Sequence, residues 1–287
     1  MLRSLTSAIS GLQNFQERMD VIGNNIANVN TTGFKSARTE FADSFSQTLQ
    51  FSSSGSAGNT GTSAVQIGAG VTTTAIKNQY TQGALSRTGV QTDLAVAGEG
   101  FFIVRDPVSL TQFATRAGDF RIDQNGFLVA NSGQRVQGYS DSALTTIGDI
   151  QIDTTGMPVT SNPASKLISY AIDAAGKINV NLSDGTQFVR GQILMQNFRD
   201  PQGLVKEGNN LYSGLGSAGP LGGATPTMAA PDTNGLGKIQ AGALELSNVD
   251  LANEFTSMIT AQRAFQATSK IITTSDEMLQ DLVNLKR

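Results

Sequence analysis

Hydrophobic residues recur every seven positions at both ends of the chain, and the middle lacks this pattern. Near the start the row comprises Leu5, Leu12, Met19 and Ile26. Near the end it comprises Leu251, Met258, Phe265, Ile272 and Leu279. A seven-residue repeat keeps one face of a helix toward a partner helix. We therefore expect one helix over about 4–28 and a second from near Asn248 or Asp250 to about 284.

Residues that are not hydrophobic interrupt both apolar faces. They are Gln16 and Gly23 in the first helix and Gln262, Ser269 and Asp276 in the second. An apolar stripe on a helix usually packs into the core of its own domain. Interruptions of this kind instead favour a seam that several helices share. We interpret the two seven-spaced rows as an assembly face.

The middle of the chain has short β-type runs separated by turns, with Asn125-Gly126 between apolar residues as the strongest hairpin signal. Similar turns follow at 173–176 and 183–185. We predict an α+β fold in which the terminal helices pair as an α-helical coiled coil beside a central β-rich domain with a small outer β insertion. The predicted parts are helix and turn (1–49), flexible connector (50–70), central β domain (71–139 and 191–212), outer insertion (140–190), connector (213–237) and C-terminal helix (238–287).

The composition excludes several classes of chemistry. The chain has 287 residues, no His and no Cys, so it has no Ser-His-Asp or thiolate nucleophile and no His or Cys metal ligand. Its net charge of -3 comes without a cationic cluster, which argues against nucleic acid as a partner. Asp119, Asp123 and Asn125 lack calcium-loop spacing and indicate a hairpin turn. We expect no enzyme activity, cofactor or metal, and no apolar run is long enough to span a membrane.

Four motifs resemble those of bacterial flagellar rod and hook proteins. The first is Asn-Asn-Ile-Ala-Asn-Val-Asn-Thr-Thr-Gly-Phe-Lys at 24–35, and the others lie at 94–102, at 115–126, and at 242–251 with 258–265. They occur in the family's order and cover both ends and the centre of the chain. The family-motif residues of the first are Asn25, Ala27, Asn28, Gly33, Phe34 and Lys35.

The resemblance implies a fold and a set of partners. In these axial proteins the terminal helices form an inner coiled-coil tube and the β domain lies outside it. Subunits leave the cell unfolded through the flagellar type III export apparatus, and the termini order on assembly into a helical homopolymer. The other partners would be rod, hook-cap and hook-filament junction proteins. Phe41 and Phe45 resemble the hydrophobic motif that such subunits present to the export gate.

Within the family, Gly138-Tyr139, the segment 198–204 and the C-terminal motif favour the hook, the flexible coupling that transmits torque from rod to filament. Only about 140–190 is available for the outer domain, which is smaller than hook proteins usually have, so a distal-rod protein is the alternative. The location would be extracellular for a hook and periplasmic for a rod. An alternative from another class is a secreted monomeric binding module with a closed helical bundle.

Overall fold

The protein is described by a computed structural model covering residues 2–55, 60–158, 165–221 and 228–285. Its internal contacts divide the chain into two compact units. The helix unit comprises Met1–Ala27, Ser36–Gln79 and Val249–Arg287. The β unit comprises Asn28–Lys35 and Tyr80–Asn248.

The helix unit contains α1 (Leu2–Ala27) and α2 (Leu251–Asn284), so both predicted helices are confirmed. Asp250 caps α2, because its carboxylate accepts hydrogen bonds from the backbone N–H groups of Ala252 at 2.9 Å and Asn253 at 3.3 Å. Such a side chain satisfies donors that have no partner inside the helix. The cap explains why α2 begins where it does.

The two helices pack against each other in antiparallel directions. Asn25 of α1 donates a hydrogen bond to Glu254 of α2 at 3.1 Å, and a methyl group built on Gly11 would lie 3.3 Å from Cγ2 of Thr268. A step of 14 residues back along α1 thus corresponds to 14 residues forward along α2. In this register α2, with 34 residues against 26, extends past the start of α1 by about two turns.

The described residues of the helix unit also contain four strands: β1 (Ala37–Asp43), β2 (Ser46–Gln50), β3 (Val65–Gly68) and β4 (Val71–Asn78). β1 pairs with β4, and β2 pairs with β3, both antiparallel. The segment 50–70, which we expected to be a connector, therefore contains a paired strand. Residues 71–78, which we assigned to the central β domain, lie in the helix unit. Polar Ser, Thr and Gln side chains suit exposed strands as well as loops, so composition alone misled the assignment.

The part of the β unit that the structure describes contains one large sheet and two small strand pairs. The pairs are β5 (Leu85–Arg87) with β20 (Ala243–Glu245), and β6 (Leu94–Ala97) with β19 (Lys238–Ala241). The sheet has twelve strands: β7 (Phe101–Arg105), β8 (Gln112–Thr115), β9 (Phe120–Ile122), β10 (Leu128–Ala130), β11 (Arg135–Tyr139), β12 (Ile147–Asp149), β13 (Leu167–Ile172), β14 (Lys177–Leu182), β15 (Gln187–Ile193), β16 (Met195–Gln196), β17 (Val205–Gly208) and β18 (Leu211–Ser213). A short 3₁₀ turn covers Pro201–Gly203.

β7 lies near the middle of the strand order β13-β14-β15-β11-β7-β8-β18-β17 and is buried on both faces. Successive side chains of a strand point to opposite faces. Phe102 and Val104 accordingly enter one hydrophobic core, and Phe101 and Ile103 enter a second core on the other face. The apolar run Phe-Phe-Ile-Val is continuous because neither face of this strand meets water.

All three hairpin turns predicted from the sequence are present, joining β9 to β10, β13 to β14 and β14 to β15. The expected outer insertion at 140–190 is not a separate body in its described residues, because β13–β15 continue the main sheet through β11. The described part of the connector at 213–237 contributes buried side chains, namely Leu215, Ala218, Met228 and Leu236. Residues 222–227 lie outside the described residues.

Candidate assembly surface and buried ion cluster

Hydrophobic side chains on α2 remain exposed within the helix unit. Leu251, Phe255 and Ile259 are 40%, 50% and 57% exposed, and their spacing of four places them on one face. More exposed residues follow toward the C-terminal end: Ile271, Met278, Val283 and Leu285. Hydrophobic side chains that stay exposed together on one face of a helix favour contact with another protein. We call the set formed by Leu251, Phe255 and Ile259 the α2 patch.

The predicted assembly residues lie beside the line of contact between the helices. The buried residues of this line on α1 include Ala8, Ile22 and Asn25, and those on α2 include Ala261 and Ser275. The predicted rows are half-buried, apart from exposed Leu251: Leu5, Leu12, Met19, Ile26, Met258, Phe265, Ile272 and Leu279. Apart from Ile22, the side chains buried along this line are small or polar, and the large apolar side chains of the predicted rows are only partly buried. Their role in assembly stays a prediction.

Asn25 joins three parts of the helix unit and is almost fully buried. Its amide accepts a hydrogen bond from the backbone N–H of Ala37 at 3.0 Å and donates to the carbonyl oxygen of the same residue at 2.9 Å. It also donates to Glu254, whose pKa is raised by burial. One side chain therefore holds the start of β1 and the first turn of α2 against α1.

The rest of the family motif begins with exposed Ala27 and half-buried Asn28 and becomes buried from Gly33 to Lys35. Gly33 has a φ of +69°, and a Cβ atom there would lie 2.6 Å from the backbone nitrogen of Ala117. Any larger residue would meet both backbone strain and a clash. Phe34 is covered by the ammonium of Lys206, 4.7 Å from the ring centre. The motif thus seats its last residues inside the β unit.

Lys35 and Glu245 form a fully buried ion pair with Nζ and Oε1 2.7 Å apart. Glu245 also receives a hydrogen bond from the backbone N–H of Gly83 at 2.9 Å, and its second oxygen lies 3.4 Å from Arg116. Lys35 donates a further bond to the carbonyl oxygen of Thr81 at 2.7 Å. The cluster therefore joins residues 210 positions apart in the sequence.

Burial lowers the pKa of Lys35, and the attraction of Glu245 opposes this shift. The guanidinium of Arg116 lies 5.0 Å from the centre of the Phe101 ring, a cation–π contact. Phe101 in turn packs edge-on against Tyr212, whose pKa is raised mainly by burial. Two cations therefore share one carboxylate beside aromatic rings, and removing that carboxylate would leave both charges buried without compensation.

Lys35 was among the residues predicted from the sequence, but its partners were not. Arg116 and Glu245 both lie inside motifs already noted, each as a charge among small or apolar residues. A charged residue in a segment that otherwise reads as buried indicates a buried ion pair. That signal was present, but the sequence gives no distance between segments this far apart.

The two predicted export residues lie in different surroundings. Phe41 is half-buried with its ring 6.4 Å from that of Phe15, and Phe45 is 88% exposed. Their export role stays a prediction.

Among the residues the structure describes, no group of three or more acidic side chains is placed to hold a metal ion. Nor do these residues include a helix with the length and hydropathy to span a membrane.

Three flagellar family descriptions match the chain. They are "Flagella basal body rod protein" at residues 5–35, "Flagellar hook protein FlgE/F/G D1 domain" at 95–180, and "Flagellar basal body rod FlgEFG protein C-terminal" at 240–285. The first covers most of α1 and the whole family motif, and the last covers α2. The motifs on which the resemblance rested thus lie within the matched regions or beside them.

Whole-chain relatives extend this similarity. The chain is 43% identical to the flagellar basal-body rod protein FlgG of Bacillus subtilis strain 168 over 287 residues, with all of both chains covered. It is 34% identical to FlgG of Borreliella burgdorferi over 290 residues and 28% identical to the flagellar hook protein FlgE of that organism over 448, again with full coverage.

A solved structure of the Helicobacter pylori flagellar hook protein FlgE2 aligns with 47% of this chain and 38% of its own at 16% identity. The TM-score of 0.22 is too low to support a structural argument. The family matches and the full-length identity to rod proteins carry the assignment. The chain belongs to the family of flagellar hook and basal-body rod proteins, which are structural subunits of the flagellar axis and not enzymes.

Proposed function

We propose that this chain is a subunit of the basal-body rod, the distal-rod alternative of the sequence analysis. This proposal rests on the lengths of the hook and rod relatives compared with the length of this chain. The hook and rod proteins of Borreliella burgdorferi both align with the whole chain, but the hook alignment is about 160 positions longer than the chain and the rod alignment only about three. This difference matches the short outer segment at 140–190, which was the feature that did not fit a hook.

We further propose that the subunit polymerises through its helix unit. The predicted inner tube would arise if the antiparallel helices supercoil and their exposed faces meet those of other copies. The α2 patch supports this proposal, because burying Leu251, Phe255 and Ile259 against neighbouring helices removes apolar surface from water. Other subunits of the flagellar axis would meet the ends of the polymer.

One experiment tests the choice between rod and hook. Purified hook and basal-body complexes are labelled with gold-conjugated antibody to the segment 140–190. Label confined to the straight shaft is the result we expect. Label along the curved hook would overturn the rod proposal and restore the hook prediction. Absence of label from both, with the epitope shown to be accessible, would favour the secreted binding module.

A second experiment tests polymerisation through the helix unit. Ile259→Asp places a charge in the α2 patch without disturbing a buried contact, because Ile259 is 57% exposed. We expect normal synthesis and loss of the assembled rod. Thr260→Asp is the matched control, since Thr260 is also exposed but lies about 100° around the helix axis from Ile259. Met258→Asp and Leu12→Asp test the predicted rows in the same way. Normal assembly of the Ile259 variant would contradict the role of the patch.

A further inference from the structure

Two Asn-Gly dipeptides occur in the chain, Asn125-Gly126 and Asn234-Gly235, and both belong to turns of the β unit. Both asparagines are exposed. In such a dipeptide the backbone nitrogen of the glycine can attack the side-chain carbonyl carbon of the asparagine, because glycine has no side chain to obstruct the approach. The two turns therefore allow the effect of local structure on this reaction to be separated from the effect of the dipeptide itself.

The turn at Asn125 holds the glycine nitrogen in a hydrogen bond. The backbone N–H of Gly126 donates to the carbonyl oxygen of Asp123 at 2.8 Å, and the carbonyl oxygen of Gly126 accepts from the N–H of Ile152 at 2.8 Å. The side chain of Gln151 donates to the carbonyl oxygen of Asn125 at 2.9 Å. The glycine nitrogen must lose its proton to act as a nucleophile, and a hydrogen bond donated by its N–H opposes that loss. We therefore expect this turn to protect Asn125.

The turn at Asn234 has a different hydrogen-bond pattern. The N–H of Leu236 donates to the carbonyl oxygen of Thr233 at 2.9 Å and closes the turn. The two central residues, Asn234 and Gly235, have φ values of +52° and +78°, as in a type I′ turn. Within the described part of the chain the N–H of Gly235 donates no hydrogen bond, and a Cβ atom built there has no neighbour within 4 Å. No described group thus restrains the nitrogen that attacks Asn234.

We propose that Asn234 is a site of spontaneous deamidation and that the turn around Asn125 protects the second Asn-Gly dipeptide. The backbone nitrogen of Gly235 forms a bond to Cγ of Asn234, and the bond from Cγ to the side-chain nitrogen breaks. Ammonia leaves with the proton that the Gly235 nitrogen gives up. Water then opens the resulting succinimide at either of its carbonyl carbons, which gives aspartate or isoaspartate. Water is the only co-reactant, and the inference does not depend on the proposed function.

Deamidation at position 234 changes both the charge and the backbone of this turn. The new carboxylate joins that of Asp232, which pairs with Lys238 at 3.4 Å. Isoaspartate adds one carbon atom to the backbone just before Leu236, a residue that is 8% exposed and belongs to the first hydrophobic core. We expect the conversion to loosen Leu236. The loss of ammonia is not reversed in dilute solution, so the converted fraction rises with the age of the subunit.

Peptide mapping of the aged protein tests the site directly. The full-length folded chain is incubated at mildly alkaline pH, and the peptides that contain the two turns are analysed by mass spectrometry at intervals. Mass distinguishes asparagine from its products, and fragmentation distinguishes isoaspartate from aspartate. We expect Asn234 to convert about tenfold faster than Asn125, the change in rate that one hydrogen bond provides. In urea that unfolds the chain the two rates should become similar, because both turns are then lost.

Two matched variants provide a second readout, the release of ammonia from the folded chain. Asn234→Gln should remove most of it, because glutamine would have to close a less favourable six-membered ring. Asn125→Gln should leave it nearly unchanged. Conversion of Asn125 as fast as that of Asn234 in the folded chain would overturn the proposal, as would the same ratio of rates in urea. An Asn234 that stays intact while the unfolded chain converts would overturn it as well. None of these outcomes bears on the proposed function.

Discussion

The two units differ in how completely each buries its own hydrophobic residues. In the β unit, β7 is covered on both faces and two cores enclose large side chains such as Phe101, Phe102 and Tyr212. In the helix unit the buried residues along the helix contact are small or polar except for Ile22, and Phe255, Ile259 and Met278 stay at least half exposed. The β unit therefore has the features of a self-sufficient fold, and the helix unit lacks apolar burial that other copies can supply. The following variants test this contrast.

The largest loss of folding stability is expected when the buried ion cluster of the β unit is broken. Lys35→Met removes a buried cation and leaves Glu245 with only Arg116, at 3.4 Å, to balance its charge. Breaking a buried ion pair costs about 3–5 kcal/mol. Urea unfolding followed by tyrosine fluorescence measures this loss, since the chain has no Trp.

The matched control is Lys238→Met, because the Lys238–Asp232 pair is 3.4 Å apart with side chains 62% and 60% exposed. An exposed pair contributes about 1 kcal/mol or less. Equal losses in the two lysine variants would show that the buried cluster does not hold the β unit together.

A smaller effect is expected for Asn25→Ala in the helix unit. This change leaves the backbone groups of Ala37 and the carboxylate of Glu254 without the Asn25 amide, for a loss of about 1–3 kcal/mol. Hydrogen exchange at the amide of Ala37 should accelerate. Asn24→Ala is the control at an exposed neighbouring position and should leave that rate unchanged. An unchanged rate in the Asn25 variant would contradict its role in holding β1.

Next in size is the cap of α2. Asp250→Ala removes the acceptor for two backbone N–H groups and should cost about 1 kcal/mol. Asp250→Ser keeps a capping oxygen and should retain most of the stability. Circular dichroism during urea unfolding measures both variants. A serine variant as unstable as the alanine variant would indicate that the carboxylate acts through something other than capping.

The smallest expected effect is on the stability of the fold at low pH. Burial would raise the pKa of Asp149, but hydrogen bonds from Gln137, Arg135 and Arg105 outweigh it and lower the pKa below its ordinary value. A lowered folded-state pKa stabilises the fold above the unfolded-state pKa of about 4, and this contribution disappears as the pH falls through the folded-state value. Asp149→Asn should therefore flatten the loss of stability below about pH 4. Parallel stability curves for the variant and the wild type would contradict this.

Local patterns in the sequence predicted much of the fold. The heptad rows predicted both helices, the two candidate caps Asn248 and Asp250 placed the start of α2 to within a few residues, and Asn125-Gly126 predicted the hairpin between β9 and β10. These features depend on neighbouring residues only. The paired strand Val65–Gly68 was missed because it is short, fully exposed and set among Ser, Thr and Gly residues that also suit a loop.

The functional features were harder to predict. The pairing of Lys35 with Glu245 depends on segments 210 positions apart, and no local pattern encodes their distance. The heptad rows were predicted, but which residues of α2 face α1 depends on the antiparallel register. Small buried residues such as Ala261 are hard to recognise as contact residues from the sequence alone. The motifs favoured the hook and only the length of one segment argued against it, whereas the lengths of the aligned relatives support the rod proposal.

Hydrogen exchange in the full-length subunit, free and assembled into rods, tests the central contrast most directly. We expect the amides of α2 to exchange rapidly in the free subunit and to become protected on assembly, while those of β7 are protected in both states. Equal protection of α2 in the two states would contradict the account. It would show that the helices complete their own fold, as in the secreted binding module.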